Sequence, residues 1–416
     1  MRKNTIALKG PLFFILPVVS FLVSLTNIRS RSSMFVYLAF SMLFGYAISF
    51  TETSADSYRY ALEFKYFDNS LDLTSISLLY LAGELRDLYR ITLYYLVSLF
   101  SNNPKVMYAF AGLVYGFFSY KCLVIFVKHK GTFLNIYTFT LGLIFFTEIS
   151  ISNVNGFRFN TAAMIVFLST YNLFIRRKKI GVLGILIAPL FHYSFYLLIP
   201  VLLIFKFAHP FLYNFNRVKN ILFYVLIFSF SLSFILGTNA INLNFLIEGS
   251  NSNGEVANRL NYVNSSELAN LINKRNINSL FLSVQKYFLL TTKIYIFISL
   301  LIINRLMNKI NNKDKKYYLN FYSFILLFFS FAFIATSIPS GVRFLSIGYL
   351  FFTVFLVSIY RLHNGKLIKK IILLAIPGFI FNILFTNIML PILILSPTFW
   401  YGTFFGIIIE GLNFQL

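Results

Sequence analysis

The feature that most limits what this chain can fold into is a series of apolar stretches separated by short polar segments. Hydrophobic residues make up 58% of the chain and charged residues only 12%, whereas about a quarter of a soluble domain is charged. A soluble enzyme and a disordered chain are therefore excluded, since the polar residues are too few to cover a soluble core. The stretches lie near residues 12–26, 34–50, 106–127, 132–150, 158–175, 180–205, 221–237, 287–304, 317–336, 344–360 and 371–390, and a last one reaches about residue 410.

This pattern predicts an all-α polytopic membrane protein that forms a single integral membrane domain over residues 1–416. A simple membrane-spanning helix needs about 20 apolar residues, and several of the stretches are shorter. We therefore expect about 11–14 transmembrane helices, some of them short or broken. Cys122 is the only cysteine, which excludes an intramolecular disulfide. The four histidines are scattered along the chain, so no metal site is predicted.

The charge of the chain is unevenly distributed. The formal net charge is +23, and 20 of the 36 basic residues lie in six loops that hold only one acidic residue, Asp314. In a soluble protein this charge would suggest nucleic acid, but in a membrane protein it is typical of cytoplasmic loops, so we predict no nucleic-acid partner. The six loops, which we place in the cytoplasm, are Arg29/Arg31, Lys128/Lys130, Arg176–Lys179, Lys206–Lys219, Arg305–Lys316 and Arg361–Lys370.

Two of these loops predict a hairpin. If 176–179 and 206–219 are both cytoplasmic, the apolar stretch 180–205 must enter the membrane and return on the same side. Its apex then lies near Phe191-His192-Tyr193. The alternative is a single helix, which would move the long polar loop 238–286 into the cytoplasm. We favour the hairpin.

The predicted topology leaves two extracytoplasmic segments, 51–105 and 238–286. In the first, four charged residues between positions 84 and 90 interrupt a Leu/Tyr-rich pattern. We therefore predict a helix over about 78–100 that lies in the membrane interface. The second segment is rich in Asn and Ser, and we expect both to act as polar caps over the membrane part.

Two arginines stand out on the extracytoplasmic side. Arg158 follows Asn155-Gly156-Phe157, Arg343 follows Pro339-Ser340-Gly341-Val342, and each opens an apolar helix. A helix N-terminus carries unpaired N–H groups and a partial positive charge, and a guanidinium beside it suits the oxygens of a phosphate. Two such helix starts predict a diphosphate site. The alternative is that each arginine only reaches the membrane surface.

The other candidate residues lie on the same side. His192, at the predicted apex, could donate a hydrogen bond to a phosphate or move a proton. Asp56 is the best-placed carboxylate for a general base, with Glu52, Glu63 and Glu84 as rivals. Tyr58 and Tyr60 flank Asp56 and are candidates for binding a glycan, since tyrosines stack on sugar faces. Each also has a structural alternative, such as a core histidine or a carboxylate paired with Arg59.

In the order and spacing of these features the chain resembles the Wzy-type polysaccharide polymerases, especially the EpsG-like branch. The acidic-Tyr segment is similar to D-Y-x-x-Y, a Glu-containing amphipathic stretch follows it, and the Arg that opens a helix is similar to R-Q-x-x-A, with Phe159 in place of Gln. An F-H-x-S-like segment and a late Arg complete the pattern. These features are Asp56-Ser-Tyr58-Arg59-Tyr60, Glu84 to Phe100, Arg158-Phe-Asn-Thr-Ala162-Ala163, Phe191-His192-Tyr193-Ser194 and Arg343.

The resemblance implies a bacterial inner-membrane enzyme with a fold similar to C-type glycosyltransferases and O-antigen ligases, and an active site that faces the periplasm. Such enzymes join oligosaccharide units carried on undecaprenyl diphosphate into O-antigen of lipopolysaccharide or into exopolysaccharide, without metal or other cofactor. Asp56 and His192 would be catalytic, Arg158, Arg343 and His192 would bind the diphosphate, and Tyr58, Tyr60 and Glu84 would contact the glycan. The expected partners are the lipid-linked glycan, membrane lipid and a chain-length regulator protein.

Three other functions stay open from the sequence. An O-antigen ligase would have the same fold and a similar diphosphate site. A flippase for lipid-linked oligosaccharides should show internal repeats and charged residues deep in many helices, and neither is evident here. A membrane acyltransferase could use His192 as a base, but it would not need two outward-facing arginines.

Overall fold

The computed structural model describes most of the chain as helix. It covers residues 4–51, 55–67, 70–131, 135–211, 215–236, 280–309, 315–338, 340–362 and 365–412. Within them, the extended backbone that pairs is limited to one isolated bridge between Ile48 and Leu395. The α-helices are α1 (Asn4–Ile15), α2 (Pro17–Leu25), α3 (Arg31–Tyr46), α4 (Asp56–Lys65), α5 (Leu73–Leu81), α6 (Leu88–Ser98), α7 (Pro104–Lys130), α8 (Ile136–Glu148), α9 (Phe157–Thr170), α10 (Gly181–Phe191), α11 (Leu198–Phe211), α12 (Phe215–Ile235), α13 (Leu280–Lys309), α14 (Lys315–Ala335), α15 (Phe344–Leu362), α16 (Lys366–Leu384), α17 (Leu390–Ile394), α18 (Thr398–Tyr401) and α19 (Phe404–Leu412).

Length and composition confirm a polytopic membrane protein. In the described part of the chain, 7 helical segments are long and apolar enough to cross a membrane. Shorter apolar helices lie at Gly181–Phe191 and Tyr193–Phe207, as expected for broken spans. In the most apolar stretches of the segments that contain α14 and α15, 83% of the residues are buried inside the protein. In those that contain α12, α13 and α16, only 28% are buried. α14 and α15 therefore form the centre of the bundle.

Several of the predicted basic loops meet at one end of the bundle. The Arg29 guanidinium donates to the Val127 carbonyl and the Arg361 guanidinium to the His129 carbonyl, each at 3.0 Å. The His129 ring is 2.6 Å from the Tyr171 hydroxyl. The ends of α2, α7, α9 and α15 therefore lie together, and we call this the basic end.

The remaining basic loops join the same end. The Lys219 ammonium donates to the Asn308 side chain, so the start of α12 lies beside the end of α13. The Asn320 side-chain amide donates to the Phe174 carbonyl at 2.8 Å, which connects the start of α14 to the residues that follow α9. The described residues of all six basic loops thus lie at one end of the bundle, as the charge pattern predicts.

Different contacts define the opposite end. The Tyr108 hydroxyl, near the start of α7, donates to the Asn155 carbonyl at 3.3 Å. The Ser49 amide, after α3, donates to the Ile394 carbonyl at 2.8 Å. One of the seven segments, 136–175, is itself a hairpin of α8 and α9. α8 starts at the basic end, where the Asn135 amide donates to the Tyr360 hydroxyl at 2.8 Å, and the turn after α8 lies at the opposite end. Among the described helices, α3 and α7 to α16 run between the two ends.

The structure confirms the predicted hairpin over 180–205. α10 and α11 are joined at His192, whose extended backbone (φ −155°, ψ 118°) ends the first leg. The apex reaches the opposite end, where the Tyr193 amide donates to Asp87 at 2.9 Å. The second leg returns, so that Phe205 packs on Phe174 with ring centroids 5.1 Å apart.

The prediction of one interfacial helix over 78–100 is wrong in its extent. The segment forms α5 and α6, which are separated by a turn at 82–87 where Gly83 has φ +77°. A positive φ is easy only for glycine and ends α5. The other predicted extracytoplasmic segment, 238–286, lies outside the described residues up to position 279, and its last residues belong to α13.

Close packing of α3 on α7 positions the opposite end. A Cβ on Gly45 would lie 2.0 Å from the Tyr108 carbonyl oxygen, and one on Gly112 would lie 2.2 Å from the Ser41 carbonyl oxygen. The two backbones therefore touch without intervening side chains, as small residues allow in membrane helices. This contact fixes Tyr108, whose hydroxyl holds the turn before α9.

Candidate functional site

The site at the opposite end is built around the start of α9. A 3-10 turn, Ile151–Gly156, reverses the chain after α8. Its Asn155 accepts a hydrogen bond from the Ser57 amide at 2.9 Å through its side chain and one from Tyr108 through its carbonyl. The turn is therefore hydrogen-bonded to α4 and to α7. Arg158 follows it as the second residue of α9.

Arg158 is buried, with 8% of its surface exposed. Its Nε donates to the Tyr60 hydroxyl at 3.0 Å, and its Nη1 forms an ion pair with Asp87. The guanidinium also lies 4.8 Å from the centre of the Tyr60 ring. Its other amino group, Nη2, has no partner among the described residues. The sequence correctly placed Arg158 at a helix start, but it did not predict that an acid neutralises its charge.

Asp87 is the main residue that sequence reasoning missed. It is fully buried, and besides Arg158 it accepts the Tyr193 amide at 2.9 Å. One carboxylate thus joins three separate segments: the turn before α6, the start of α9 and the apex of the hairpin. The available signal was physical, since a buried arginine needs a counter-charge and Asp87 lies between two arginines in an otherwise Leu/Tyr-rich stretch.

A second ion pair supports the first. The Arg90 guanidinium, on α6, is paired with the Glu63 carboxylate on α4. The Tyr94 hydroxyl donates to the Tyr60 carbonyl at 3.1 Å. These contacts hold α4 against α6, so the position of Tyr60, whose ring contacts the Arg158 guanidinium, is fixed by both helices. Glu63 therefore has a structural contact with Arg90, and its alternative role as the general base stays a prediction.

His192 lies at the helix break, as predicted. Its Nδ1 is 2.8 Å from the Ser194 hydroxyl, which orients the ring. The ring stacks on the Tyr193 ring with centroids 5.3 Å apart, and it makes a T-shaped contact with the Phe159 ring with centroids 5.4 Å apart. The histidine is only partly buried, so it can reach a ligand at the surface of the bundle.

Arg343 lies on the turn between α14 and α15. Ser340 in this turn has φ +63°, a left-handed backbone conformation that is unfavourable for residues other than glycine. The Arg343 side chain is exposed, and its guanidinium is 5.8 Å from the centre of the Phe159 ring. Within the described part of the chain it has no carboxylate partner, in contrast to Arg158.

Phe159 is where these groups converge. Its ring lies near His192 and Arg343, and it packs on Phe195 and Phe344 with centroid distances of 5.2 and 5.9 Å. Residues that are 34 and 185 positions away in sequence from Arg158 thus surround the residue next to it. The predicted site residues His192 and Arg343 thus both lie near the Phe159 ring, and Arg158, the residue before it, is linked to the hairpin apex through Asp87. We call Phe159 together with Arg158, His192 and Arg343 the Phe159 cluster.

Asp56 lies beside this cluster. It forms an ion pair with Arg59 at 2.9 Å and is 30% exposed. A Cβ on Gly156 would lie 3.4 Å from its Oδ2, so the carboxylate is adjacent to the start of α9. The structure therefore brings the predicted base to the same helix start as Arg158, with its charge shared by Arg59.

The glycan role predicted for Tyr60 does not fit the structure. Tyr60 is 3% exposed, its hydroxyl bonds to both Arg158 and Arg59, and both guanidinium groups lie within 5 Å of its ring centre. No ring face is left for a sugar. Tyr58 is partly buried and Glu84 is exposed, so both remain predictions as glycan contacts.

Other tyrosines at this end were not predicted. The Tyr80 hydroxyl on α5 and the Tyr196 hydroxyl next to the apex are 2.8 Å apart. Burial and the hydrogen bond from this partner raise the pKa of Tyr80. Tyr196 is 52% exposed, which makes it, unlike Tyr60, a ring that a sugar could reach.

The chemistry of the Phe159 cluster is cationic and aromatic. Guanidinium and imidazole groups beside helix starts suit an anion with several oxygens, most simply a phosphate. Among the described residues, no group of three or more His, Cys, Asp and Glu side chains is placed to hold a metal ion. The nearby carboxylates Asp56 and Asp87 each face an arginine instead.

The fold and this cluster define an all-α polytopic membrane protein with a cationic site at one end. The chain belongs to the EpsG family, which matches residues 32–397 and therefore most of its length. Family membership indicates a glycosyltransferase-like polymerase role in polysaccharide biosynthesis, and it confirms the resemblance seen in the sequence. No curated protein and no solved structure matches the chain.

Proposed function

We propose that this protein polymerises oligosaccharide units carried on undecaprenyl diphosphate, at the periplasmic face of the bacterial inner membrane and without a metal ion. The observation that carries the proposal is the Phe159 cluster, in which Arg343 has no acidic partner among the described residues and is exposed. A guanidinium without an acidic partner, near the same aromatic ring as a histidine and with a second arginine at the start of the helix that carries this ring, suits a diphosphate leaving group. Membership of the EpsG family supports the same class of reaction.

The reaction is a glycosyl transfer between two lipid-linked glycans. A hydroxyl oxygen of the acceptor unit attacks the anomeric carbon of the donor glycan, and the bond from that carbon to the diphosphate oxygen breaks. The hydroxyl proton passes to a base, and the polyprenyl diphosphate leaves with the bonding electron pair. Negative charge grows on the leaving oxygen, so fixed cationic donors lower the barrier.

The residues divide this work. Arg343 and the free amino group of Arg158 hold the diphosphate oxygens, and His192 donates a further hydrogen bond to them. Asp56 accepts the acceptor's proton, because it is partly exposed and lies beside the helix start that carries Arg158. Arg59 forms an ion pair with that carboxylate and so holds it in position beside the helix start.

The test is reconstitution of the purified protein with a lipid-linked oligosaccharide. We expect a ladder of products that differ by one repeat unit, and we expect the same ladder in the presence of a chelator. Added lipid A core should not be required, which separates a polymerase from an O-antigen ligase. A product of single units transferred only to lipid A core, or a ladder that chelator abolishes, contradicts the proposal.

The topology can be tested independently. A reporter fused after Arg177 should be cytoplasmic, one after Phe215 cytoplasmic, and one after Ser252 periplasmic, because basic loops stay in the cytoplasm. Alkaline phosphatase and green fluorescent protein fusions measure the two sides. A periplasmic reporter after Arg177 would place the basic end outside, and the Phe159 cluster would then face the cytoplasm.

A further inference from the structure

A second cationic position lies inside a membrane-spanning helix. Lys293 is in the middle of α13, within the candidate span Val284–Asn308. A lysine within a membrane span costs free energy and is a functional candidate for that reason. The proposed roles of the Phe159 cluster do not use it.

The contacts of Lys293 leave its ammonium group incompletely bonded. Its Nζ donates to the Thr336 hydroxyl oxygen at 2.8 Å, and that hydroxyl donates to the Phe333 carbonyl at 2.7 Å. The Nζ also lies 5.9 Å from the centre of the Phe234 ring. In the part of the chain that the structure describes, Lys293 forms no ion pair and no second hydrogen bond, so two of its three N–H donors are available to a ligand.

Lys293 and Arg343 lie at the same turn of the chain. Thr336 follows the last residue of α14, and the turn that begins there carries Arg343. The turn is tight, because a Cβ on Gly341 would lie 1.8 Å from the Ala335 carbonyl oxygen. Lys293 therefore contacts the beginning of the turn through Thr336, and Arg343 lies seven residues further along the chain, at its end.

The side chains around Lys293 lie at the surface of the helix bundle. Neighbouring apolar side chains on α12 and α13 are largely uncovered: Phe234 is 47% exposed, Leu290 38% and Ile294 40%. The spanning window of α13 is only 28% buried. A molecule with an anionic head and a long apolar tail fits such a place, because its head meets the ammonium while its tail stays in the membrane.

We propose that Lys293, oriented by Thr336, binds the phosphate nearest the polyprenyl tail of the lipid-linked substrate. This proposal rests on the proposed function: the phosphate next to the lipid tail binds at Lys293, and the phosphate next to the sugar binds at Arg343. A lysine is a compact charge with rotatable donors, which suits a phosphate that enters sideways from the membrane. Lys293 is thus a binding residue for the lipid carrier.

An ordinary phospholipid headgroup offers the same chemistry, because lysines near the membrane surface often reach headgroups. The experiment must therefore compare three anions. The protein is placed in nanodiscs of zwitterionic lipid, and the probes are farnesyl diphosphate, inorganic pyrophosphate and phosphatidylglycerol. The variants are Lys293→Gln and, as a matched control, Lys286→Gln, which removes an exposed lysine seven residues earlier on the same face of α13.

We expect Lys293→Gln to weaken farnesyl diphosphate binding by about tenfold or more, the effect of one charge-assisted hydrogen bond. Pyrophosphate, which lacks a tail, should bind more weakly to the unmodified protein, and phosphatidylglycerol should not compete. Lys286→Gln should change the affinity by less than about twofold. Unchanged affinity in Lys293→Gln, an equal loss in Lys286→Gln, or full competition by phosphatidylglycerol overturns the proposal.

The outcome separates this proposal from the proposed function. If the unmodified protein binds farnesyl diphosphate through Lys293 but makes no polymer, the lipid site stands and the polymerase function fails. If it makes polymer while Lys293→Gln retains the same KM for the lipid-linked donor, the site fails and the function stands. Thermal unfolding of each variant shows whether a loss of binding reflects a loss of fold.

Discussion

Replacing Arg343 with alanine should stop polymer formation while the protein stays folded in the membrane. Its side chain is exposed and has no acidic partner in the described part of the chain, so its removal should change stability by less than about 0.5 kcal/mol. Loss of one fixed donor to the leaving group should cost about 2.7–4 kcal/mol, a rate loss of about a hundred- to a thousand-fold. The ladder of products from purified enzyme measures this.

Two further variants sharpen the result. Arg343→Lys keeps the charge but loses the planar pair of donors, and it should restore little activity if both oxygens of a phosphate are held. Arg305→Ala, which removes an exposed arginine at the basic end, should leave the ladder unchanged. A full ladder from Arg343→Ala would show that this arginine does not act on the leaving group.

Breaking the ion pair between Arg158 and Asp87 should strongly destabilise the fold. Asp87→Asn leaves a buried guanidinium without its counter-charge, and Arg158→Met leaves a buried carboxylate without its partner. Each change should cost about 3–5 kcal/mol. The shift in the thermal unfolding temperature of the detergent-purified protein is the measurement.

The double variant separates structure from catalysis. Asp87→Leu with Arg158→Met replaces the pair by apolar groups, which is often nearly neutral for stability, although the contact of Asp87 with the Tyr193 amide is also lost. We expect it to be more stable than either single variant, with a favourable coupling in the double-mutant cycle, and yet inactive. A stable double variant that still polymerises would make Arg158 a purely structural residue.

The sequence predicted the elements that depend on local physical chemistry. Apolar stretches predict helices because a backbone in lipid must satisfy its own hydrogen bonds. The basic loops predicted which helix ends lie together, and this correctly gave the hairpin over 180–205. The positions of Arg158 and Arg343 at helix starts were equally readable, since glycine and short polar turns precede both.

The sequence did not predict the partners of these residues, because partners depend on packing between distant segments. Asp87 is 71 residues from Arg158, and the sequence does not show which of the acids on this side of the protein forms the ion pair. The sequence suggested that the Tyr60 ring could stack on a sugar. In the structure Tyr60 is buried, and two guanidinium groups contact its ring. The helix over 78–100 failed for a smaller reason, a single positive-φ glycine that ends α5.

The class of protein, the shared end of the basic loops and the residue types that interrupt the apolar stretches could therefore be predicted from the sequence alone. Hydrophobicity and charge act residue by residue, so they can be read in order along the chain. Three contacts required the three-dimensional fold: Arg343 and His192 lie near Phe159, Asp87 pairs with Arg158, and Lys293 bonds to Thr336 at the beginning of the turn that carries Arg343. Those contacts arise where helices pack, and packing joins residues that the chain keeps far apart.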